Sequence, residues 1–131
     1  MKLTAYSRNR ILETFDHWKV PKEFAETMYN YLVHGFNPGG CFTSILANDF
    51  YGAISRSHPN NTVESLKALT GWIYDTVPRL ARGNYKAVDE WCYLKDAERR
   101  LILEQKQLIY TEEQEVIMAL QSKPTVEPVL F

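Results

Sequence analysis

The sequence predicts an all-α, single-domain helical bundle, and three observations carry that prediction. Apolar residues recur at helical spacing in several windows, most clearly at Phe24, Met28, Tyr31 and Leu32. Those windows are bounded by residues that start and stop helices, such as Thr62, Asn84 and Gly35. From Lys95 to Gln121 the composition turns to Glu, Gln, Lys, Arg and Leu, all strong helix formers. A chain of 131 residues is long enough to bury a core as one domain without metals or disulfides.

In order, Tyr6, Ile11, Leu12, Phe15 and Trp18 mark an N-terminal amphipathic helix within residues 1–20. Pro21 suits the first turn of the next helix, which runs to Gly35. Asn37-Pro38-Gly39-Gly40 then forms a tight turn, with proline fixing φ and the glycines free to take φ > 0. From Phe42 the apolar positions 42, 45, 46, 50, 53 and 54 predict one continuous helix, read as the central one. Ser55 to Thr62 is a polar loop, and Thr62 caps a helix carrying Val63, Leu66, Leu69, Trp72 and Ile73. Pro78 ends that helix, Arg79 to Gly83 is an irregular connector, and Asn84 caps a helix with Val88, Trp91 and Cys92 inward. If the helices around them run antiparallel, the connectors at 56–61 and 79–84 lie at opposite ends of the bundle.

Thr111-Glu112-Glu113-Gln114 is a capping box, so 95–121 reads as two helices, at about 95–109 and 112–121. A hairpin around Gln105-Lys106 is the rival reading, because Leu101-Ile102-Leu103 and Leu108-Ile109-Tyr110 are strand-like runs. The expected organisation is a core at 21–93, a helical extension at 94–121 and a flexible tail at 122–131. Leu101, Leu108, Val116, Ile117 and Leu120 are more apolar surface than an extension can hide, which predicts a homo-oligomer through 95–121.

Bulk charge narrows the partners. A net charge of −1 with no basic block argues against gripping a nucleic-acid backbone. No segment reaches the length of a membrane span, and no long apolar run follows the first lysine, so a cytoplasmic protein is expected. Cys41 and Cys92 have no zinc-type spacing and read as free thiols; neither a metal nor a cofactor is indicated.

Candidate chemistry gathers around the glycine turn. Gly35 and Gly40 have the spacing of a phosphate loop, but Cys41 and Phe42 stand where that loop needs Lys and Ser or Thr. What remains is a helix N-terminus, attractive to anions, or simply an interhelical turn. On a helix started at Cys41, Asp49 falls between Phe42 and Ile45, inside the apolar sector, at roughly 100° per residue. It reads either as a structural cap for the turn at 37–41 or the loop at 57–62, or as a general base or ligand anchor. Ser44, Asn48 and Tyr51 are expected to cluster on the opposite face. Cys41 at a helix start is a candidate nucleophile, with His34 or His58 as base. The residues expected to contact a ligand or partner are Asn37, Gly39, Gly40, Ser44, Asn48, Asp49, Tyr51, Arg56 and His58.

The run His34-Gly35-x-x-Pro38-Gly39-Gly40-x-Phe42-x-x-Ile45-Leu46-x-Asn48-Asp49, followed by Asn61, Trp72-Ile73-Tyr74, Pro78 and Trp91, resembles a group of short phage and prophage proteins with no established activity. The resemblance spans about residues 22–92. Two loops depart from the group's pattern: Ser57-His58 stands in place of a small-acidic pair, and Arg82-Gly83-Asn84 in place of a Trp-Gly-Ser-like turn. The resemblance implies phage origin. With no complete catalytic constellation in the sequence, the expected role is a non-catalytic accessory protein. It would bind and inhibit a host defence or replication protein, or sequester a small nucleotide-like signal. The alternative is a small enzyme using Asp49 with Cys41 or a histidine.

Overall fold

The computed structural model describes residues 5–122, and these fold as an all-α bundle with no strand among them. The helices are α1 (Ala5–Trp18), α2 (Ala25–His34), α3 (Gly40–Leu46), α4 (Phe50–Arg56), α5 (Val63–Thr76), α6 (Tyr85–Tyr93), α7 (Asp96–Gln105) and α8 (Glu112–Ser122). Short 3-10 turns precede α2 at Lys22–Phe24 and α6 at Arg79–Ala81. The tail expected at 122–131 falls, but for its first residue, outside the described residues.

The local signals act where they stand. Thr62 accepts the Ser65 N–H at 3.0 Å while Ser65 Oγ accepts the Thr62 N–H at 3.2 Å, a reciprocal cap for α5. Asn84 accepts the Ala87 N–H at 2.8 Å, starting α6. Thr111 and Gln114 exchange the same pair of bonds at the start of α8. Residues 101–110 are helix followed by a turn, so the hairpin alternative is not adopted.

The central helix is α2, not the segment after the glycine turn. Met28, Tyr31 and Leu32 are fully buried, and α2 packs against α1, α6 and α7. Trp91 Nε1–H donates to the Tyr31 carbonyl at 3.1 Å, and the Tyr31 hydroxyl donates to the Ala81 carbonyl at 2.6 Å. On the other side α1 lies on α5. Phe15 meets Trp72 edge to face at 4.8 Å, and Trp72 Nε1–H donates to Thr14 Oγ1 at 2.9 Å. Gly71 leaves room for the Trp18 ring, which would lie 2.6 Å from any Cβ placed there.

Two expectations fail for physical reasons. The helix predicted from Phe42 through 54 breaks into α3 and α4, because Asn48 takes φ 65° and Asp49 turns its side chain to cap a new helix. The segment 94–121 does not lie wholly beyond the core. Leu103, Leu108, Ile109 and Arg99 are buried, so α7 and the turn after it belong to the core.

Arg99 is what draws α7 inward. Its Nε–H donates to the Val33 carbonyl at 3.1 Å and Nη1–H to the Trp91 carbonyl at 3.3 Å. Nη1 also reaches the Leu94 carbonyl, and Nη2 pairs with Asp96. Gly35, the C′ residue of α2 at φ 70°, permits this approach: a Cβ there would stand 2.6 Å from Arg99 Nη1 and 2.9 Å from the Cys92 carbonyl. Gly39 has φ 90° but open space around it. Gly35→Ala should therefore cost about 2–3 kcal/mol, and Gly39→Ala only about 1 kcal/mol, the backbone part alone. Urea unfolding of the two variants checks this; equal losses would remove Arg99 from the argument.

Candidate functional site

The site is built where the glycine turn delivers α3 against α4. Leaving α2, the chain places Asn37 so that its Oδ1 accepts the Gly39 N–H at 2.9 Å, and Gly39 then starts α3 without a side-chain cap. At the far end of α3 the Asp49 N–H bonds the Ser44 carbonyl at 2.8 Å. Asp49 then begins α4, with Oδ1 accepting the Gly52 N–H at 2.8 Å.

Four side chains meet over this hairpin. The Tyr85 hydroxyl, from the first turn of α6, donates to Asp49 Oδ2 at 2.5 Å. Ser44 Oγ, fully buried, lies 3.0 Å from that hydroxyl oxygen. Arg56 Nη1 donates to Ser44 Oγ at 2.6 Å and stands 3.3 Å from Tyr85 Oη. Tyr85 has one proton, and the carboxylate takes it; Ser44 then donates its own to Tyr85. The result is a one-directional chain from the Arg56 guanidinium through Ser44 and Tyr85 to Asp49, in which each bond strengthens the next. Two glycines make room for it. A Cβ on Gly52 would lie 2.3 Å from Asp49 Oδ2 and 2.7 Å from Arg56 Nη1, and one on Gly40 would lie 3.3 Å from Arg56 Cδ.

The electrostatics follow from the bonds. The Tyr85 hydrogen bond, above all, holds the Asp49 carboxyl below the usual carboxylate range, with the Gly52 N–H and the Arg56 charge adding to it. Each Asp49 oxygen accepts one bond, and the carboxylate ties the start of α4 to α6. A general base works best with a pKa near the working pH, and the shift here is in the opposite direction.

Of the residues singled out from sequence, Ser44, Asp49 and Arg56 come together, with Gly40 beside them. Asp49 is not in a buried apolar sector, and its donors come neither from 37–41 nor from 57–62. The break at Asn48 turns it to the start of α4, where Gly52 and Tyr85 reach it. Ser44, Asn48 and Tyr51 do not cluster. Ser44 is buried, Tyr51 is exposed on the outer side of α4, and Asn48 lines a separate depression with Tyr74 and Arg82. His58 sits in the following loop, its Nδ1 accepting the Asn60 N–H at 3.1 Å. His34 lies against Phe36, and neither histidine nor Cys41 bonds Asp49. Burial pushes the Cys41 thiol pKa up, against the activation expected of a helix-start nucleophile. The described residues hold no cluster of three or more His, Cys, Asp or Glu that could bind a metal.

Tyr85 escaped the sequence reading; the only local hint was its place just after the Asn84 cap. Its bond to Arg56 also corrects the connectors, whose flanking residues meet here instead of lying at opposite ends of the bundle. Beside it, a shallow groove runs between Asn37, Thr43, Lys86 and Asp89, and Thr43 Oγ1 is buried there without a hydrogen-bond partner among the described residues.

Tyr85→Phe should let the Asp49 pKa rise toward its ordinary value, as followed by carboxyl-carbon NMR titration. Because the folded-state pKa is the depressed one, this clamp stabilises fully above the ordinary carboxylate range. Its contribution fades as pH falls through the folded-state value. An unmoved Asp49 titration in the variant would remove the Tyr85 bond from the account. No family model, curated protein or solved structure matches the chain, so the geometry alone supports a functional reading.

Proposed function

We propose that the chain is a non-catalytic accessory protein that acts by binding another protein through the outer face of α4. The supporting observation is the arrangement of Phe50, Tyr51 and Ile54. They fall within about 100° of the helix circumference, at roughly 100° per residue. Tyr51 is 88% exposed, Phe50 42% and Ile54 40%, while Gly52 and Ala53 face inward. Aromatic and aliphatic side chains grouped in this way are the usual centre of a protein contact. As part of this proposal, the target is a host defence or replication protein, inhibited by occupancy of its surface.

A Tyr51→Ala, Ile54→Ser double variant should keep its stability within about 0.5 kcal/mol, since both side chains are exposed. In a pull-down from host cytosol read by mass spectrometry, it should lose a partner that the parent and a Tyr93→Ala control both retain. A partner list unchanged by the double variant would overturn the reading.

We also propose a homo-oligomer through 95–121. Leu108 is buried within the chain, whereas Leu101 on α7 and Val116, Ile117 and Leu120 on α8 remain exposed. Light scattering should give a dimer or larger mass, falling to the monomer in Ile117→Lys. A monomeric parent at high micromolar concentration would exclude it.

A further inference from the structure

From the groove between α1 and α2 we infer a second binding site, for a small organic phosphate. After α1 the chain turns at Lys19, φ 59°, and α2 passes back along α1, with the Tyr29 hydroxyl donating to the Arg8 carbonyl. The groove that remains has a volume of about 560 Å³, within the roughly 300–1,000 Å³ of small-molecule pockets. Leu12 and Val33 give it an apolar floor, and Arg8, Lys22 and His34 stand around it with Glu26 as the opposing charge.

Arg8 differs from most arginines of the protein. Arg10, Arg56, Arg82, Arg99 and Arg100 all engage their guanidinium groups in hydrogen bonds within the chain. Neither the Arg8 guanidinium nor the Lys22 ammonium has a hydrogen bond or ion pair among the described residues. The Arg8 charge is nonetheless felt at Tyr29, where burial raises the hydroxyl pKa and Arg8 partly offsets that rise. An arginine fork suits the oxygens of a phosphate, and Lys22, which lines the same groove, adds a second charge. The apolar floor would hold the body of the ligand, so an aromatic phosphomonoester fits better than a bare anion. This site is separate from the α4 face and does not depend on it.

The test uses the whole protein with phenyl phosphate, and phenol and inorganic phosphate for comparison, followed by amide and side-chain NMR shifts. Phenyl phosphate should give saturable shifts at Tyr29, Asn30 and His34, more tightly than either fragment. Arg8→Gln and Lys22→Gln should each weaken binding about tenfold, as expected for loss of a charged hydrogen bond. Glu26→Gln should tighten it, and Lys86→Gln, whose parent lysine pairs with Glu90, should change nothing. The absence of saturable shifts, shifts located elsewhere, or equal affinity in Arg8→Gln with unchanged circular dichroism would each overturn the inference.

Discussion

The architecture depends on one buried guanidinium. Arg99 is only 3% exposed, and a charge so placed costs several kcal/mol unless its surroundings replace water. Here they do, through two helix ends. The Val33 carbonyl lies in the last turn of α2, and the Trp91 and Leu94 carbonyls end α6. Carbonyls at a helix end carry the negative end of its dipole, so one cation serves both termini. Asp96 adds a full negative charge from the first turn of α7. The same arginine thus fixes where α2 stops, where α6 stops and where α7 begins. Gly35 is the condition for it, since any side chain there would occupy the space of the guanidinium.

This explains which parts of the fold were legible in the sequence. Caps and stops are local, so Gly35, Thr62, Asn84 and the Thr111 box could be read from a few neighbouring residues. Arg99 could not, because nothing in a charge-rich stretch of Glu, Lys and Arg distinguishes the one arginine that turns inward. The whole stretch therefore looked like a helical extension beyond the core. The break between α3 and α4 was hidden differently. Phe50 and Ile54 keep i, i+4 spacing whether or not the helix is continuous, so periodicity alone cannot detect a turn at 47–49. Asn48-Asp49 was the available signal: asparagine tolerates the left-handed region and aspartate caps the residues after it. Once the chain turns there, Phe50 and Ile54 leave the core and become surface.

The site was legible to the same extent. Asp49 could be singled out because a carboxylate among apolar positions needs a partner, and that reasoning holds whether the partner is near or far. The partner's identity could not be read. Tyr85 is 36 residues away, and only the docking of α3 on α6 brings the two together. Arg8 and Lys22 carry no motif at all, and His34, which opens the run ending at Asp49, was read only as a candidate base. They share a groove because α2 folds back along α1, a relation that exists only in three dimensions.

The four-residue relay and the surface of α4 are mechanically connected. A seven-residue helix has too few internal hydrogen bonds to be stable alone, since nucleation is unfavourable and isolated helices need roughly 12–15 residues even in good sequences. Its N-terminus is held by Asp49, which Tyr85 ties to α6. Its C-terminal Arg56 is held to Ser44 on α3. Clamped at both ends, α4 holds its outer face in a fixed place, while the aromatic side chains on that face stay solvated. A preformed surface of this kind lowers the ordering cost of association. The buried serine and the two glycines beneath the relay therefore act on the outer face without touching it: they let Arg56 and Asp49 close over the seam that keeps the helix in place.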